Sequence, residues 1–324
     1  METILVSGAA GFIGSSVSHA LLARGDLVLG IDNLNDYYDV TLKEARLARL
    51  TPQAGFTFRK ADISDREEVL KLAADFPHIS GIVHLAAQAG VRYSLMDPYA
   101  YVSSNVLGQV VMLELARRLK GLKHFVYASS SSVYGGNTKT PFAVEDPVEK
   151  PISLYAATKR TDELFGYTYA HLFDIPMTGL RFFTVYGPWG RPDMAAFLFT
   201  KAIIAGEPIK VFNHGEMWRD FTFVDDIVNG VVRALDRPAS GSPPCKLYNL
   251  GNNKVEKLTD YIALIERSLQ RKAVMQMEPL QPGDVPRTSA DIEASRCELG
   301  FEPTTPISVG IPKFITWYKD YYRV

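Results

Sequence analysis

Thr3-Ile4-Leu5-Val6 runs almost directly into Gly8-Ala9-Ala10-Gly11-Phe12-Ile13-Gly14, and a helical pattern follows over 15–24. A short apolar run suits a buried parallel strand. Strand, glycine turn and helix in that order form the context a dinucleotide fingerprint requires. Gly8 permits the tight turn, Gly11 lets backbone approach a pyrophosphate, and Gly14 lets the helix pack on the strand. Phe12 and Ile13, inside the turn, would stand beside phosphates held at the helix N-terminus, where free N–H groups and the helix dipole favour anions. The next apolar run, 27–31, ends at Asp32. A carboxylate there hydrogen-bonds the adenosine ribose and repels a 2′-phosphate, so NAD is expected rather than NADP. Asn33 and Asn35 extend the polar rim.

A second feature stands near the middle of the chain, Tyr155-Ala156-Ala157-Thr158-Lys159. On a helix, residues four apart share a face, so phenol and ammonium can point at one spot. A neighbouring cation favours a phenolate, because opposite charge stabilises the ionised form. Such a phenol is a base usable near neutral pH. A Tyr-x-x-x-Lys alone also arises by chance, and its weight comes from the glycine turn and acid upstream.

The chain of 324 residues is long enough for one large or two intimate domains. Its net charge of -1 leaves no electrostatic footprint for nucleic acid. Cys245 and Cys297 cannot build a disulfide framework. No metal-ligand set is expected. No apolar run reaches the roughly 18 residues needed to span a bilayer. Met1 leads into the first strand without a basic segment, which argues against a signal peptide. A soluble protein of a reducing compartment, the cytoplasm, is expected.

Further strands are expected at 56–58, 82–85, 124–128 and 176–183. Small residues in Leu85-Ala86-Ala87 would let a cofactor lie on the backbone. His84, inside an apolar strand, reads as a packed core histidine. Alternation of strands and helices predicts an α/β fold with a doubly wound parallel sheet. From Thr184 to Asp193, glycine and proline density marks a loop, and loops at strand C-terminal ends build sites. A smaller, interrupted substrate domain is expected over 185–324, with the chain rejoining the 1–184 domain at about 224–252. A helix is expected over 197–205 and an amphipathic one over 307–322. The stretches 240–244 and 281–287 read as exposed and site-forming loops, respectively.

The glycine spacing, Gly-x-x-Gly-x-x-Gly, is similar to that of extended short-chain dehydrogenase/reductases. Nearly the whole chain resembles their nucleotide-sugar epimerase branch, and within it most closely the enzymes that epimerise UDP-glucuronate at C4. The likeness rests on His84-Leu85-Ala86-Ala87-Gln88-Ala89-Gly90-Val91-Arg92-Tyr93, on Ser153-Leu154-Tyr155-Ala156-Ala157-Thr158-Lys159, and on the segment from Leu180 through Thr184-Val185-Tyr186-Gly187-Pro188-Trp189-Gly190-Arg191-Pro192-Asp193-Met194. It implies a Rossmann-like fold and tightly bound NAD.

The resemblance also implies residue roles. Asp62 would contact the adenine amino group, with Ile63 beside it. Leu85, Ala86, Ala87, Gln88 and Phe182 would line the cofactor, and Asn105 would lie below the nicotinamide. Ser130 takes the position of the family's catalytic hydroxyl beside Tyr155, flanked by Ser129. Ser131 and Ser132 stand where sugar-nucleotide dehydratases carry Asp and Glu, and neither is an acid here. Arg92, Thr184, Met194 and Val211 join the substrate side, and Arg219 and Asp284 would hold the UDP. Many relatives have arginine before Pro-Gly-Asp, but this chain has Gln281, so Arg191 or Arg287 would share the phosphate role. Arg191 offers a planar fork suited to a carboxylate.

The implied reaction removes the 4-hydroxyl proton with Tyr155 while C4 is oxidised, turns the 4-keto sugar over, and reduces its other face. Alternatives are a neutral-sugar epimerase acting on UDP-glucose or its N-acetyl form, a UDP-glucuronate decarboxylase, or a non-catalytic dinucleotide sensor. A homodimer is implied through the helices around Asn105 and Tyr155.

Overall fold

A computed structural model describes residues 2–281 and 283–324. The first half of the chain alternates β1 (Thr3–Ser7), α1 (Phe12–Ala23), β2 (Leu27–Asp32), α2 (Val40–Leu50), β3 (Phe56–Lys60), α3 (Arg66–Asp75) and β4 (Ile79–His84). Next come α4 (Pro98–Tyr101), a π-helical stretch (Val102–Leu107), α5 (Gly108–Arg118), β5 (His124–Ser130), α6 (Leu154–Phe173) and β6 (Met177–Phe182). The second half holds β7 (Thr184–Tyr186), α7 (Ala195–Ala205), β8 (Pro208–Val211), β9 (Trp218–Phe223), α8 (Val224–Leu235), β10 (Cys245–Leu250), β11 (Val255–Lys257), α9 (Leu258–Leu269), β12 (Val274–Met277) and α10 (Ile307–Tyr322).

Seven strands form one parallel sheet in the order β10-β6-β5-β4-β1-β2-β3. Strand periodicity of two sends alternate side chains to opposite faces. Ile4 and Val6 accordingly join a core with Val17 and Leu21 of α1 and Val231 of α8. Leu5, between them, joins a separate core with Val69 of α3 and Leu115 of α5. Helices thus cover both faces, as the α/β reading requires. β1 lies between β2 and β4, so the connections diverge from it to opposite sides. The crevice beyond the C-terminal ends of β1 and β4 is where such sheets bind ligands.

Beyond β6 the chain builds smaller sheets, β11-β9-β7 and β12-β8. β10 then returns to the main sheet by parallel pairing with β6, and α8 packs on α1. Three local readings differ from expectation. α1 starts at Phe12, ahead of 15, because its cap is Gly11 itself. Thr184–Tyr186, expected as loop, pairs with Phe221–Phe223 as a short strand before the glycine-rich turn. Within 240–244, Pro244 is buried rather than exposed. Among the described residues no helix is long and apolar enough to cross a membrane.

Candidate active site

The glycine turn is shaped by contact. Gly8 has φ +73°, and a Cβ there would stand 2.9 Å from the Ala86 nitrogen. A Cβ on Gly14 would stand only 2.0 Å from the Gly8 carbonyl oxygen. The Gly11 cap has no side chain to cover the first turn of α1, whose N–H groups have no intrahelical acceptor. Asp32 is buried, and its carboxylate accepts from Ala10 N (3.1 Å) and Leu34 N (2.9 Å). Burial pushes its pKa up, against those N–H groups and the nearby Lys43 and Arg46.

One cavity brings these parts together. Gly8, Gly11, Phe12, Ile13, Gly14, Asp32, Asn33, Asn35 and Ile63 line its first part. Leu85, Ala86, Ala87, Gln88 and Phe182 line the next, and Ser129, Tyr155, Lys159, Arg191 and Met194 complete it. The bare glycine cradle, the uncapped helix start and the acid at the end of β2 fit a dinucleotide with free ribose hydroxyls.

Ser7 braces this wall. Its Oγ accepts from Leu85 N and Ala86 N at 3.1 and 3.2 Å and lies 2.6 Å from His84 Nδ1. His84 is the core residue its apolar strand suggested. Burial, and secondarily Lys159, drives its pKa down to about 3.

Ser153 caps α6 by accepting from Ala156 N at 3.1 Å, which sets Tyr155 and Lys159 in the first two turns on one face. The Tyr155 ring meets Tyr101 edge-on, with centroids 6.0 Å apart. Lys159 is buried, and its ammonium donates to Ala128 O (2.9 Å) and Asp162 Oδ2 (3.0 Å). Among the described residues Asp162 Oδ1 finds no hydrogen-bond partner. Its pKa is pushed up to about 6 by burial, despite Lys159.

Other predicted residues are tied into the surrounding fold. Asn105 is not on the cavity wall. Its amide accepts from Gln88 N (2.8 Å) and donates to Gln88 O (3.0 Å) and Thr158 Oγ1 (3.0 Å), so it holds the wall from behind. Asp62 accepts from Asn33 Nδ2 at 2.8 Å and from Ser64, behind the rim. The Ser129 hydroxyl donates to Glu163 at 2.6 Å. Ser130 is buried and accepts from Ser132 N at 3.2 Å. Ser131, next in the turn, is half-buried. The Val211 side chain lies in the core, because alternation along β8 turns Ile209 and Val211 inward. Only its main chain can reach a ligand.

Thr184 shares a small adjoining cavity with Arg191 and Met194. Arg92 pairs with Asp284 at 2.8 Å and lies over the Phe212 ring. Burial lowers the pKa of Arg219, against Asp284 and with Arg92, so these three charges form a second cluster. Arg287 is exposed, beside Trp218 in a backbone bridge. In that loop Pro282 lies outside the described residues.

Sequence reasoning missed Tyr37, Tyr38 and Lys43, all on the cavity wall. It also missed Asp193, which grips Arg191 through Nε (3.0 Å) and Nη2 (2.5 Å) and accepts from the Tyr37 hydroxyl at 3.1 Å. Burial acts to lower the Arg191 pKa, but the Asp193 carboxylate outweighs it and holds it up. Burial and Asp193 push Tyr37 up to about 12. A usable signal was present for Lys43, which stands four and seven residues before Leu47 and Leu50 and so shares the apolar stripe of α2. Among the described residues no cluster of His, Cys, Asp or Glu is placed to hold a metal ion.

Residues 4–251 match the model of the NAD dependent epimerase/dehydratase family. The chain belongs to that family. It is 47% identical to UDP-glucuronate 4-epimerase 4 of Arabidopsis thaliana, over 99% of this chain and 76% of that one. It is 44% identical to a probable UDP-glucuronate 4-epimerase of Rhizobium meliloti, covering 98% of this chain and 97% of that one. Among solved structures, it is similar to the Bacillus cereus UDP-glucuronic acid 4-epimerase in complex with UDP-glucuronic acid and NAD. There the TM-score is 0.91 at 34% identity, over 99% of this chain and 100% of that one. The family match agrees with the glycine cradle and the Tyr155–Lys159 wall.

Proposed function

We propose that this protein interconverts UDP-glucuronate and UDP-galacturonate through a 4-keto sugar, with NAD as its resident cofactor. The observation that carries the reading is the placement of Arg191 on the same cavity wall as Tyr155 and Lys159, beside a serine turn without a carboxylate. The names and ligands of the relatives support it.

NAD, when bound, supplies hydride acceptance and return at C4 of the sugar. The residues of the chain do the rest. The Gly8 to Gly14 turn and α1 receive the pyrophosphate, and Asp32 the ribose hydroxyls. The Tyr155 phenolate removes the 4-hydroxyl proton and later gives it back. Lys159, held by Ala128 O and Asp162, sets the positive field beside that phenol. Ser130 serves the reacting oxygen.

A 4-keto uronate is a β-keto acid. It loses CO2 when the bond from C5 to its carboxylate stands perpendicular to the carbonyl plane. Arg191, oriented by Asp193, and Thr184 hold the carboxylate away from that geometry. Arg92, Arg219 and Asp284 receive the UDP, with Arg287, Ser129, Ser131, Met194 and the Val211 main chain around it. In this reading residues 1–184 with 224–252 carry the cofactor and 185–324 mainly the substrate.

The protein acts in the cytoplasm as a homodimer. Two free cysteines fit a reducing compartment. A face of exposed apolar residues on α4 and α6 fits a partner copy: Tyr99 is 82% exposed and Leu164 51%.

Incubation with UDP-glucuronate and no added reductant tests the function, with products separated by chromatography. UDP-galacturonate without UDP-pentose is expected. UDP-pentose as main product means a decarboxylase, and turnover of UDP-glucose alone means a neutral-sugar epimerase.

A further inference from the structure

Arg46 of α2 has no role in the mechanism above, yet it is fully buried. Among the described residues no carboxylate forms an ion pair with it. Its guanidinium instead donates to three main-chain carbonyls and a phenol. Nη1 donates to Ala10 O at 3.0 Å and to the Tyr38 hydroxyl at 2.7 Å. Nε and Nη2 donate to Trp189 O at 3.1 and 2.7 Å, and Nη2 also to Gly190 O at 3.1 Å. Ala10 lies within the glycine turn, and Gly190 directly precedes Arg191. One side chain therefore ties the dinucleotide loop to the loop that carries Arg191.

The tie lies where the backbone needs it. Trp189 has φ +65°, a left-handed conformation that is costly for a bulky residue and persists only when its surroundings hold it. The doubly bonded Trp189 carbonyl is such a hold. A guanidinium with five donors in a rigid fork can reach all these acceptors at once, whereas an ammonium cannot reproduce that plane.

We infer that Arg46 is a positioning residue, which fixes the loop before Arg191 against the cofactor loop and so sets the place of the Arg191 guanidinium. This rests on the reading that Arg191 binds the uronate. The test is a kinetic cycle on the holoenzyme with Arg46→Lys, Arg191→Ala and the double variant, assayed with UDP-glucuronate.

Arg46→Lys is expected to raise KM about tenfold or more while kcat falls much less. The double variant is expected to have the KM of Arg191→Ala alone, because residues acting through one another are not additive. If Arg46→Lys lowers thermal stability and leaves KM unchanged, or if the two effects on KM multiply, the inference is overturned. If Arg191→Ala itself leaves KM unchanged, the Arg191 reading fails instead, and the two failures are distinct. Should Arg46→Lys not fold, Trp189→Pro replaces it, since proline cannot take a positive φ. The same rise in KM is expected from that variant, and an unchanged KM overturns the inference.

Discussion

Glu163 and Arg181 meet fork to fork in the interior, with Oε1 2.7 Å from Nε and Oε2 2.9 Å from Nη2. Glu163 stands one turn beyond Lys159 on α6, and Arg181 lies in β6. The same carboxylate accepts from the Ser129 hydroxyl of β5. The pair therefore pins the helix that carries Tyr155 and Lys159 to two strands of the sheet. Removing the charge from Glu163 leaves a buried, uncompensated guanidinium, a loss of about 3–5 kcal/mol. Glu163→Gln is expected to lose that much in chemical denaturation. A loss below about 1 kcal/mol would show that Arg181 finds other partners.

His84 and His124 are held neutral by burial, with pKa values down to about 3 and about 4 against the ordinary 6.5. His124 sits between Leu235 O and Thr178 Oγ1. The unfolded chain takes up protons below pH 6.5 that the folded chain refuses, so stability falls as pH drops from there toward 4. At pH 5 each group contributes roughly 2 kcal/mol of that loss. Denaturation curves at pH 7 and pH 5 check it, and His124→Gln is expected to reduce the difference between them.

Gly14→Ala places a methyl within 2.0 Å of the Gly8 carbonyl. Overpacking against backbone costs about 1–3 kcal/mol, so dinucleotide affinity is expected to fall about ten- to a hundredfold. The ratio of absorbance at the nucleotide and protein bands after purification reads the loss of NAD directly. Retention equal to wild type would mean that the turn yields without disturbing the cradle.

Arg191→Ala is expected to release UDP-pentose from UDP-glucuronate, because the 4-keto acid is then free to turn its carboxylate perpendicular to the carbonyl. Chromatography of the products decides this. A weaker but still clean epimerase would assign Arg191 to the pyrophosphate.

The face of α4 and α6 that exposes Tyr99, Leu164 and Tyr167 (82, 51 and 54% exposed) is expected to be covered in a dimer. Leu164→Glu with Tyr167→Glu should give a monomer by sedimentation velocity. A dimer that survives both changes must use another face.

What the sequence disclosed was whatever is local. The glycine turn, Asp32 and the shared face of Tyr155 and Lys159 were legible because each is written within a few residues of chain. The last helix was legible over its full length, Ile307–Tyr322, from its apolar period. Contacts between distant segments were not. The Tyr37 and Asp193 hydrogen bond joins residues 156 apart, and Arg46 reaches Trp189 across 143. Val211 was expected on the substrate side, but which way its side chain faces is set by the burial of Ile209 and Val211 along β8, a tertiary effect. Asn105 was placed in the right neighbourhood, but which side of the wall it occupies depends on Gln88.

The return of β10 to the sheet has a consequence for how the protein can be made. The strand that completes the seven-stranded sheet lies at Cys245–Leu250, after β7, α7, β8 and β9 have been laid outside that sheet. A nascent chain that has emerged only as far as Phe182 presents β6 as an open edge, a row of unpaired backbone groups suited to joining another chain. The seven-stranded sheet and the smaller sheets are therefore bound in time as well as in space. Excising 1–184 as a minimal dinucleotide-binding module would yield an aggregating fragment, and supplying the downstream segment in trans is the natural way to rescue it.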